Sequence, residues 1–195
     1  MTQTDRRIEV AEAAWRVIVR DGLDRTSMRA IAHEMGCTTG VVTHYFRNKQ
    51  ELILFALHQV TEKLQKLMEQ AITNISGRDR LVAMLSSFLP IDKERTEILR
   101  VWVAFLGYAV GREKLMADHQ QSAGELRQVI IQELKTLQNQ EQVRPDINPE
   151  TEANVLLALV NGISLDTLIQ KQRLSTKQQR EALQNHVDKL QINKS

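Results

Sequence analysis

Residues 26–49 read TSMRAIAHEMGCTTGVVTHYFRNK, and this stretch decides the fold. Either Thr26 or Ser27 can cap a helix by accepting a hydrogen bond from one of its first free amides. Apolar residues then recur at the spacing of one helix face from Met28 to Met35. A glycine just past a helix end adopts the left-handed conformation without steric cost, so Gly36 predicts a sharp reversal of the chain.

A second short helix is predicted for residues 39–45, with Thr38 as its cap. Val41, Val42 and Phe46 are expected to pack inward. A small polar outer face lets a helix enter a major groove about 12 Å wide, where hydroxyls reach base edges and methyls touch thymine. The residues expected on that outer face are Thr39, Gly40, Thr43 and His44.

A third, longer helix is predicted to begin after Asn48. Asn48 can cover a free amide while Glu51 reaches back, which together make a capping pair. Three helix starts in fewer than thirty residues, with a tight turn after the first helix, are typical of a helix-turn-helix DNA-binding motif.

The rest of the chain also has the composition of a helical protein. Its 195 residues suffice for one domain, or for a small domain fused to a larger one. With 42% hydrophobic residues, 8 glycines and 3 prolines, the composition favours helices over a turn-rich sheet. Apolar periodicity predicts an all-α fold of about nine helices without strands, the later ones starting near residues 49, 78, 92, 112, 149 and 175.

Several features predict a cytoplasmic protein with no membrane partner. The single cysteine excludes an intrachain disulfide, and the first seven residues lack the apolar stretch of a signal peptide. No run of apolar residues approaches the eighteen expected of a membrane span. The net charge of +2 does not by itself indicate a nucleic-acid partner, so the DNA-binding prediction depends on geometry.

The sequence lacks the parts of an enzyme. It has no glycine-rich phosphate loop, no nucleophile and base around Cys37, and no clustered carboxylate pair. Cys37 is expected to pack in the core rather than to sense redox state. No metal site and no cofactor are predicted, because four histidines show no ligand spacing: His33, His58, His119 and His186.

Residues 36–49 closely resemble the N-terminal signature of the TetR family of bacterial repressors. The signature includes the Tyr-Phe pair, the lysine after it, and an acidic residue followed by leucine, here Glu51-Leu52. Residues 6–22 resemble the first helix of the same domain. The resemblance implies a helix-turn-helix DNA-binding domain at 1–48 and a larger helical domain for effector binding and dimerisation at 49–195.

The resemblance also implies roles for individual residues. Base-facing positions of the family correspond to the outer face of the second short helix, and its usual phosphate contacts correspond to Tyr45 and Lys49. Because many relatives carry lysine or a bulky side chain in place of Thr39 and Thr43, this face is expected to depend more on DNA shape and thymine methyls. The implied DNA-binding set is Ser27, Arg29, Thr38, Thr39, Gly40, Thr43, His44, Tyr45 and Lys49; for Ser27, plain helix capping is an alternative.

Two later stretches, WVAF at 102–105 and ALVNGISL at 158–165, resemble the C-terminal domain of the choline-responsive branch of the TetR family. That branch implies a small-molecule effector held among the central helices, although aromatic residues at helical spacing are commonly core. Asn161 and Asp166 are either pocket groups or interface groups. The candidate pocket residues are Phe88, Trp102, Phe105, Tyr108 and Asn161.

A homodimer is expected from DNA geometry and from the resemblance. One reading helix covers only a half-site, whereas two readers about 34–36 Å apart address both halves of a palindrome. Apolar stripes on two helices are the candidate interface: Leu126, Val129, Ile130, Leu134, Leu156, Leu159, Val160 and Ile163. The sequence thus predicts a DNA-binding repressor that a small molecule releases from a palindromic operator, with gating by a protein partner, or by nothing, as the alternative.

Overall fold

A computed structural model describes residues 3–170 and 173–192. This part of the chain contains nine α-helices and no strand, which confirms the all-α prediction. The helices are α1 Gln3–Asp21, α2 Met28–Glu34, α3 Thr39–Tyr45, α4 Lys49–Ala71, α5 Gly77–Ser86, α6 Lys93–Ala109, α7 Glu113–Asn139, α8 Pro149–Ile169 and α9 Thr176–Asp188.

The chain divides into two compact units, each with its own core. The reader unit contains the residues up to Lys63 together with Glu97–Met116. The bundle unit contains Leu64–Thr96 together with the residues from Ala117 onward. Helix α4 therefore begins in the reader unit and ends in the bundle unit, and the predicted domain division between residues 48 and 49 stays a prediction.

The core of the reader unit lies among the first four helices. Apolar side chains from one face of each helix meet there and are removed from water, which is the main favourable contribution to folding. Phe46, just after α3, is fully buried and its ring centroid lies 5.4 Å from that of Phe55. The buried cluster contains Val10, Ala13, Ala14, Val17, Ile31, Ala32, Val42, Phe46 and Leu52.

Charged side chains tie α1 to α2 outside this core. Glu34 accepts hydrogen bonds from Arg16 at 2.9 Å and from Arg20 at 2.7 Å. Both guanidiniums lower the pKa of the Glu34 carboxyl. Because both arginine side chains are more than half exposed, we expect the pairs to fix the orientation of α2 more than to add stability.

The core of the bundle unit is built from α5, α7, α8 and α9. Each helix contributes its buried stripe to one continuous apolar cluster, with the end of α4 packed against it. Ser164 on α8 donates a hydrogen bond to the backbone oxygen of Phe88, 3.2 Å away, which joins two segments distant in sequence. Members of the cluster include Leu81, Leu85, Ile130, Leu134, Leu156, Val160, Ile163, Leu183 and Val187.

Side chains cap the starts of α8 and α9, but the predicted cap at Thr38 does not form. Asn148 accepts hydrogen bonds from the amides of Glu150 and Thr151, with Pro149 in the first turn of α8. At α9, Ser175 and Gln178 form a capping box. The side chain of Thr38, in contrast, makes no capping hydrogen bond to α3.

Helix α8 differs from the sequence expectation about membranes. Its 21 residues are long and apolar enough to span a bilayer by length and composition, with a mean hydropathy of 1.3 in the most apolar window. A core helix of a water-soluble protein passes the same test, and one face of α8 packs into the bundle core. The hydropathy of α8 alone therefore does not indicate a membrane span.

Candidate nucleic-acid interface

Helix α3 buries one face and exposes another of small, polar character. Val42 and Phe46 are fully buried. In contrast, Thr38, the N-cap residue of α3, is exposed. Val41 departs from the prediction that it packs inward: it is 37% exposed, because Val42 and Phe46, four residues apart, take the inward side and Val41 lies next to that side. The predicted outer residues of α3 are all exposed: Thr39, Gly40, Thr43 and His44.

The hydroxyl of Thr43 is already engaged within α3. It lies 3.2 Å from the backbone oxygens of both Thr39 and Gly40, so its proton is directed back along the helix. The γ-methyl and the acceptor lone pairs of the Thr43 oxygen are then left for an outside partner. This geometry agrees with a reading face that contacts thymine methyls more than it donates hydrogen bonds.

The turn between α2 and α3 depends on one glycine. Gly36 has a φ of 66°, the left-handed region in which a side chain is strained. The amide of Cys37 then donates to the Ala32 oxygen at 2.9 Å, which closes the end of α2. The reversal brings α3 across α2 at a fixed angle and presents its polar face outward.

The three remaining residues near the start of α2 and the end of α3 have different surroundings. The Ser27 hydroxyl accepts a hydrogen bond from the Ala30 amide at 3.1 Å and so caps α2. Arg29 is exposed one residue into the helix. The ring of Tyr45 is half-buried and meets the ring of His44 edge-on, with centroids 4.9 Å apart. Ser27 thus has a structural role whatever its contact with DNA.

Lys49 points toward the protein in this structure. Its Nζ donates to the backbone oxygen of Leu23 at 2.7 Å and lies 5.6 Å from the centre of the Tyr108 ring. Arg112 stacks on the same ring with its Cζ 4.0 Å from the centroid. Burial lowers the pKa of Lys49. To contact a phosphate, the Lys49 ammonium must therefore either keep one N–H on the Leu23 carbonyl and offer another to the phosphate, or leave that carbonyl.

A network around Glu51 fixes the start of α4. Asn48 accepts a hydrogen bond from the Glu51 amide at 2.9 Å, and Glu51 reaches back to the amide of Arg47 at 2.9 Å. Arg7 pairs with Glu51 at 3.3 Å and lies over the Phe46 ring at 4.7 Å. The sequence motif found the cap but missed Arg7, because 44 residues separate Arg7 from Glu51 and no local pattern signals a contact over that distance.

The five candidate pocket residues do not share one environment. Trp102, Phe105 and Tyr108 belong to the reader unit, whereas Phe88 and Asn161 belong to the bundle unit. The Tyr108 ring already contacts two basic side chains, and Phe105 is buried. A shared pocket for all five stays a prediction.

Asp166 and Asn161, the two polar residues of α8 singled out from the sequence, have different surroundings. Asp166 accepts a hydrogen bond from Arg173 at 3.0 Å, which makes it half of an ion pair. Asn161 is exposed and so does not point into the interior of the bundle unit. Of the two roles open to Asn161, a pocket group or an interface group, its exposure favours the interface.

The predicted dimer stripe requires correction. Five of its eight members lie in the bundle unit's own core, where their side chains have almost no surface left for a second subunit: Ile130, Leu134, Leu156, Val160 and Ile163. Leu126 and Leu159 pack partly against that core, and Val129 is 44% exposed. Apolar periodicity identified the buried face of each helix and not the face available to a partner.

A different face of α8 is apolar and open. Its residues recur at intervals of three and four, so they share one side of the helix. Val155 is 41%, Leu165 38% and Ile169 77% exposed, and two small residues lie between them. We call this surface the α8 outer face, consisting of Val155, Ala158, Gly162, Leu165 and Ile169.

Metal-binding clusters are absent from the described part of the chain, where no three His, Cys, Asp or Glu side chains come together. Cys37 is a half-buried free thiol beside the reader core.

Two family comparisons match different parts of the chain. Residues 10–55 match the bacterial regulatory proteins of the tetR family. Residues 77–191 match the C-terminal domain of BetI-type transcriptional repressors. The second match covers more than half of the chain.

Individual relatives agree with these matches. The HTH-type transcriptional regulator PksA of Bacillus subtilis is 28% identical over 187 residues, which are 95% of this chain and 89% of PksA. The regulator BetI of Vibrio campbellii is 23% identical, over 94% of this chain and 91% of BetI. Both relatives are named as transcriptional regulators and not as enzymes.

Solved structures share the fold over almost the full length. A transcriptional regulator from Rhodococcus sp. has a TM-score of 0.84 at 26% identity, covering 94% of this chain and 95% of its own. A regulator from Saccharomonospora viridis, solved in complex with choline, has a TM-score of 0.88 at 23% identity and covers 95% and 96%. With its helix-turn-helix reader and its BetI-type C-terminal domain, the chain belongs to the TetR family of bacterial transcriptional regulators.

Proposed function

We propose that this regulator is a homodimeric repressor, released from a palindromic operator when a small molecule binds its C-terminal domain. The observation that carries the proposal is the outer face of α3, which is exposed, small and polar above a fully buried Val42 and Phe46. Such a face is suited to the major groove. The protein acts in the cytoplasm on double-stranded DNA.

We assign direct base contacts to Thr39, Gly40, Thr43 and His44. The engaged hydroxyl of Thr43 supports apolar contact with thymine at that position. Phosphate contacts are assigned around this face, where they set the register of the helix on the duplex. The phosphate-contacting residues are Ser27, Arg29, Thr38, Tyr45 and Lys49.

Dimerisation is assigned to the α8 outer face. Exposed leucine, isoleucine and valine side chains on one stripe gain free energy when a second copy covers them. Gly162 and Ala158 lie in the middle of the stripe, where the lack of large side chains allows two helices to approach closely. Val129 on α7 and the exposed Asn161 are assigned to the edge of the same interface.

Release by an effector requires that the ligand bind one arrangement of the dimer more tightly than the other. We assign transmission to α4, whose two halves belong to different units. Its first residue, Lys49, contacts the backbone of Leu23 and the Tyr108 ring of α6. Displacement of α4 or of α6 therefore changes the surroundings of the Lys49 ammonium. Choline is the first ligand to test as the effector, because a structural neighbour was solved with choline.

Electrophoretic mobility shift with the DNA upstream of its own gene tests the reader. We expect wild type to bind with a steep loss of affinity as salt rises, since phosphate neutralisation releases counterions. Tyr45→Ala should weaken binding by about tenfold, the scale of one lost polar contact. Tyr45→Phe is the matched variant, because it keeps the ring against His44 and removes only the hydroxyl.

Equal binding by wild type and Tyr45→Ala, with both proteins folded by circular dichroism, would contradict the assignment of Tyr45. Absence of any salt-dependent binding by wild type would contradict the whole proposal. A melting-temperature screen with choline then separates the gating alternatives, because a ligand of the native state raises the melting temperature by mass action. If no small molecule does so, gating by a protein partner, or no gating, replaces release by a ligand.

A further inference from the structure

A cleft of about 340 Å³ opens on the bundle unit beside α5 and α9. We call it the α5–α9 cleft. Its volume lies at the lower end of the range of about 300–1,000 Å³ that small-molecule sites occupy. All of its lining residues belong to the bundle unit, and none is among the residues assigned above to DNA, effector or dimer contacts.

The cleft combines an apolar wall with charged side chains. Ala71, Val82, Ala83 and Ile91 provide the apolar part. The charged lining consists of the guanidiniums of Arg95 and Arg180 and the carboxylate of Asp79. Arg95 is paired with Asp92, so among the described residues Arg180 is the cation of the lining without a carboxylate partner. A ligand with a single negative charge pairs with Arg180, whereas a dianion meets stronger repulsion from the nearby carboxylates.

Of the two arginines in the lining, Arg180 has no carboxylate partner in the part of the chain that the structure describes, whereas Arg95 has one. Arg180 lies on the exposed side of α9 and forms no ion pair with another residue in the described ranges. Lys177, one turn earlier on α9, is paired with Glu181 at 3.6 Å and does not line the cleft. The two cations on the same helix thus differ in whether a protein partner already engages them.

Arg95 is only partly engaged. Its Nη1 contacts Asp92, while its Nε is buried and makes no hydrogen bond within the residues that the structure describes. A guanidinium carries five N–H donors, and a buried donor without a partner costs free energy. Because that Nε is closed to solvent, a ligand in the cleft does not reach it, and Arg95 contributes a positive charge shared with Asp92 rather than a free donor.

We infer that the α5–α9 cleft binds a small organic carboxylate with a short apolar tail. The carboxylate is held by Arg180, since a guanidinium pairs with a carboxylate through parallel hydrogen bonds. The tail lies against Val82 and Ile91. The negative charge of Asp79 in the lining disfavours phosphate and other dianions. The inference does not depend on DNA binding.

Isothermal titration calorimetry on the full chain without DNA tests the inference, with hexanoate as the probe. We expect a dissociation constant on the order of a millimolar, typical of so small a ligand. Hexanamide has the same tail and no charge, and it should bind at least about tenfold more weakly, because a charged acceptor strengthens each hydrogen bond. Inorganic phosphate should bind more weakly than hexanoate.

Arg180→Gln should weaken hexanoate binding by about tenfold while leaving the fold intact, because its side chain is exposed. Lys177→Gln removes the same charge from the same helix outside the cleft, and its affinity should stay within about twofold of wild type.

Absence of hexanoate binding, equal affinity for hexanamide, or unchanged affinity in Arg180→Gln would each overturn the inference. Tighter binding of phosphate would also overturn it, since that outcome indicates a different anion class. Because the titration contains no DNA, its failure is independent of the proposed repressor function, which the mobility-shift experiment tests separately.

Discussion

Helices α3 and α8 each bury one side in the core of their own unit, yet they expose opposite kinds of surface. The outer side of α3 carries threonine, glycine and histidine, whereas α8 presents Val155, Leu165 and Ile169. Small polar groups lose little when they face water and gain specific contacts with base edges. Exposed aliphatic groups in a stripe gain only when another apolar surface covers them.

The difference matches the two roles proposed above, DNA reading for α3 and subunit pairing for α8. The seven residues of α3 suffice to reach a groove but bury little apolar area. The 21 residues of α8 can bury a long stripe on each side, one inside the subunit and one outside. In the function proposed above, recognition of DNA depends on a few side chains of α3, and pairing of subunits depends on the apolar area of α8.

The largest expected effect is on α8. Leu165→Glu should weaken the dimer by a factor of about a hundred or more, because each subunit would bury an unpaired charge in the interface. Sedimentation velocity measures the dissociation, and operator affinity should fall with it. Ile75→Glu is the control, since Ile75 is 37% exposed but lies outside α8. A stable dimer of Leu165→Glu would remove the α8 outer face from the interface.

The next effect concerns α3. Thr39→Glu should lower operator affinity by about ten- to a hundredfold, because a carboxylate on the reading face meets the phosphates at close range. Mobility shift measures the loss, and the dimer should remain intact by sedimentation. Gln70→Glu adds the same charge to the exposed side of α4 and should have little effect. If both variants bind DNA equally, α3 is not the reading helix.

A smaller effect compares the caps of the two helices. Asn148→Ala should lower the free energy of unfolding by about 1 kcal/mol, because two amides at the start of α8 lose their acceptor. Thr38→Ala should cost less than about 0.5 kcal/mol, since the Thr38 side chain makes no capping hydrogen bond. Urea unfolding measures both. Equal losses would mean that Thr38 caps α3 in solution, and any loss of DNA binding by Thr38→Ala would then have a folding origin.

The smallest expected effect concerns the partly buried ammonium of Lys49 in the reader unit. Burial lowers the pKa of Lys49 below the 10.5 of the unfolded chain, so just below pH 10.5 the unfolded state binds more protons at this site. The stability of wild type relative to Lys49→Met should therefore rise as the pH increases from neutral toward 10.5. Urea unfolding at several pH values measures the difference. Parallel pH curves for the two proteins would show that Lys49 is solvated.

Local features of the reader were predictable from sequence because their causes lie within a few residues. The cap at Ser27, the left-handed Gly36 and the Asn48–Glu51 pair involve neighbours along the chain. Helix existence follows in the same way from apolar periodicity. The contact of Arg7 with Phe46 has no local cause, because the two residues are distant along the chain and no local pattern signals it.

The sequence by itself determined the helices, their caps, the tight turn and the polar face that identifies a DNA reader, because spacing and backbone preference act locally. Only the tertiary structure decided which apolar stripe of each helix is buried in the core of its own unit. On α8 both stripes are apolar, so periodicity selects neither, and the neighbours α5, α7 and α9 bury Leu156, Val160 and Ile163. Val155, Leu165 and Ile169 remain outside because burial is a property of packing.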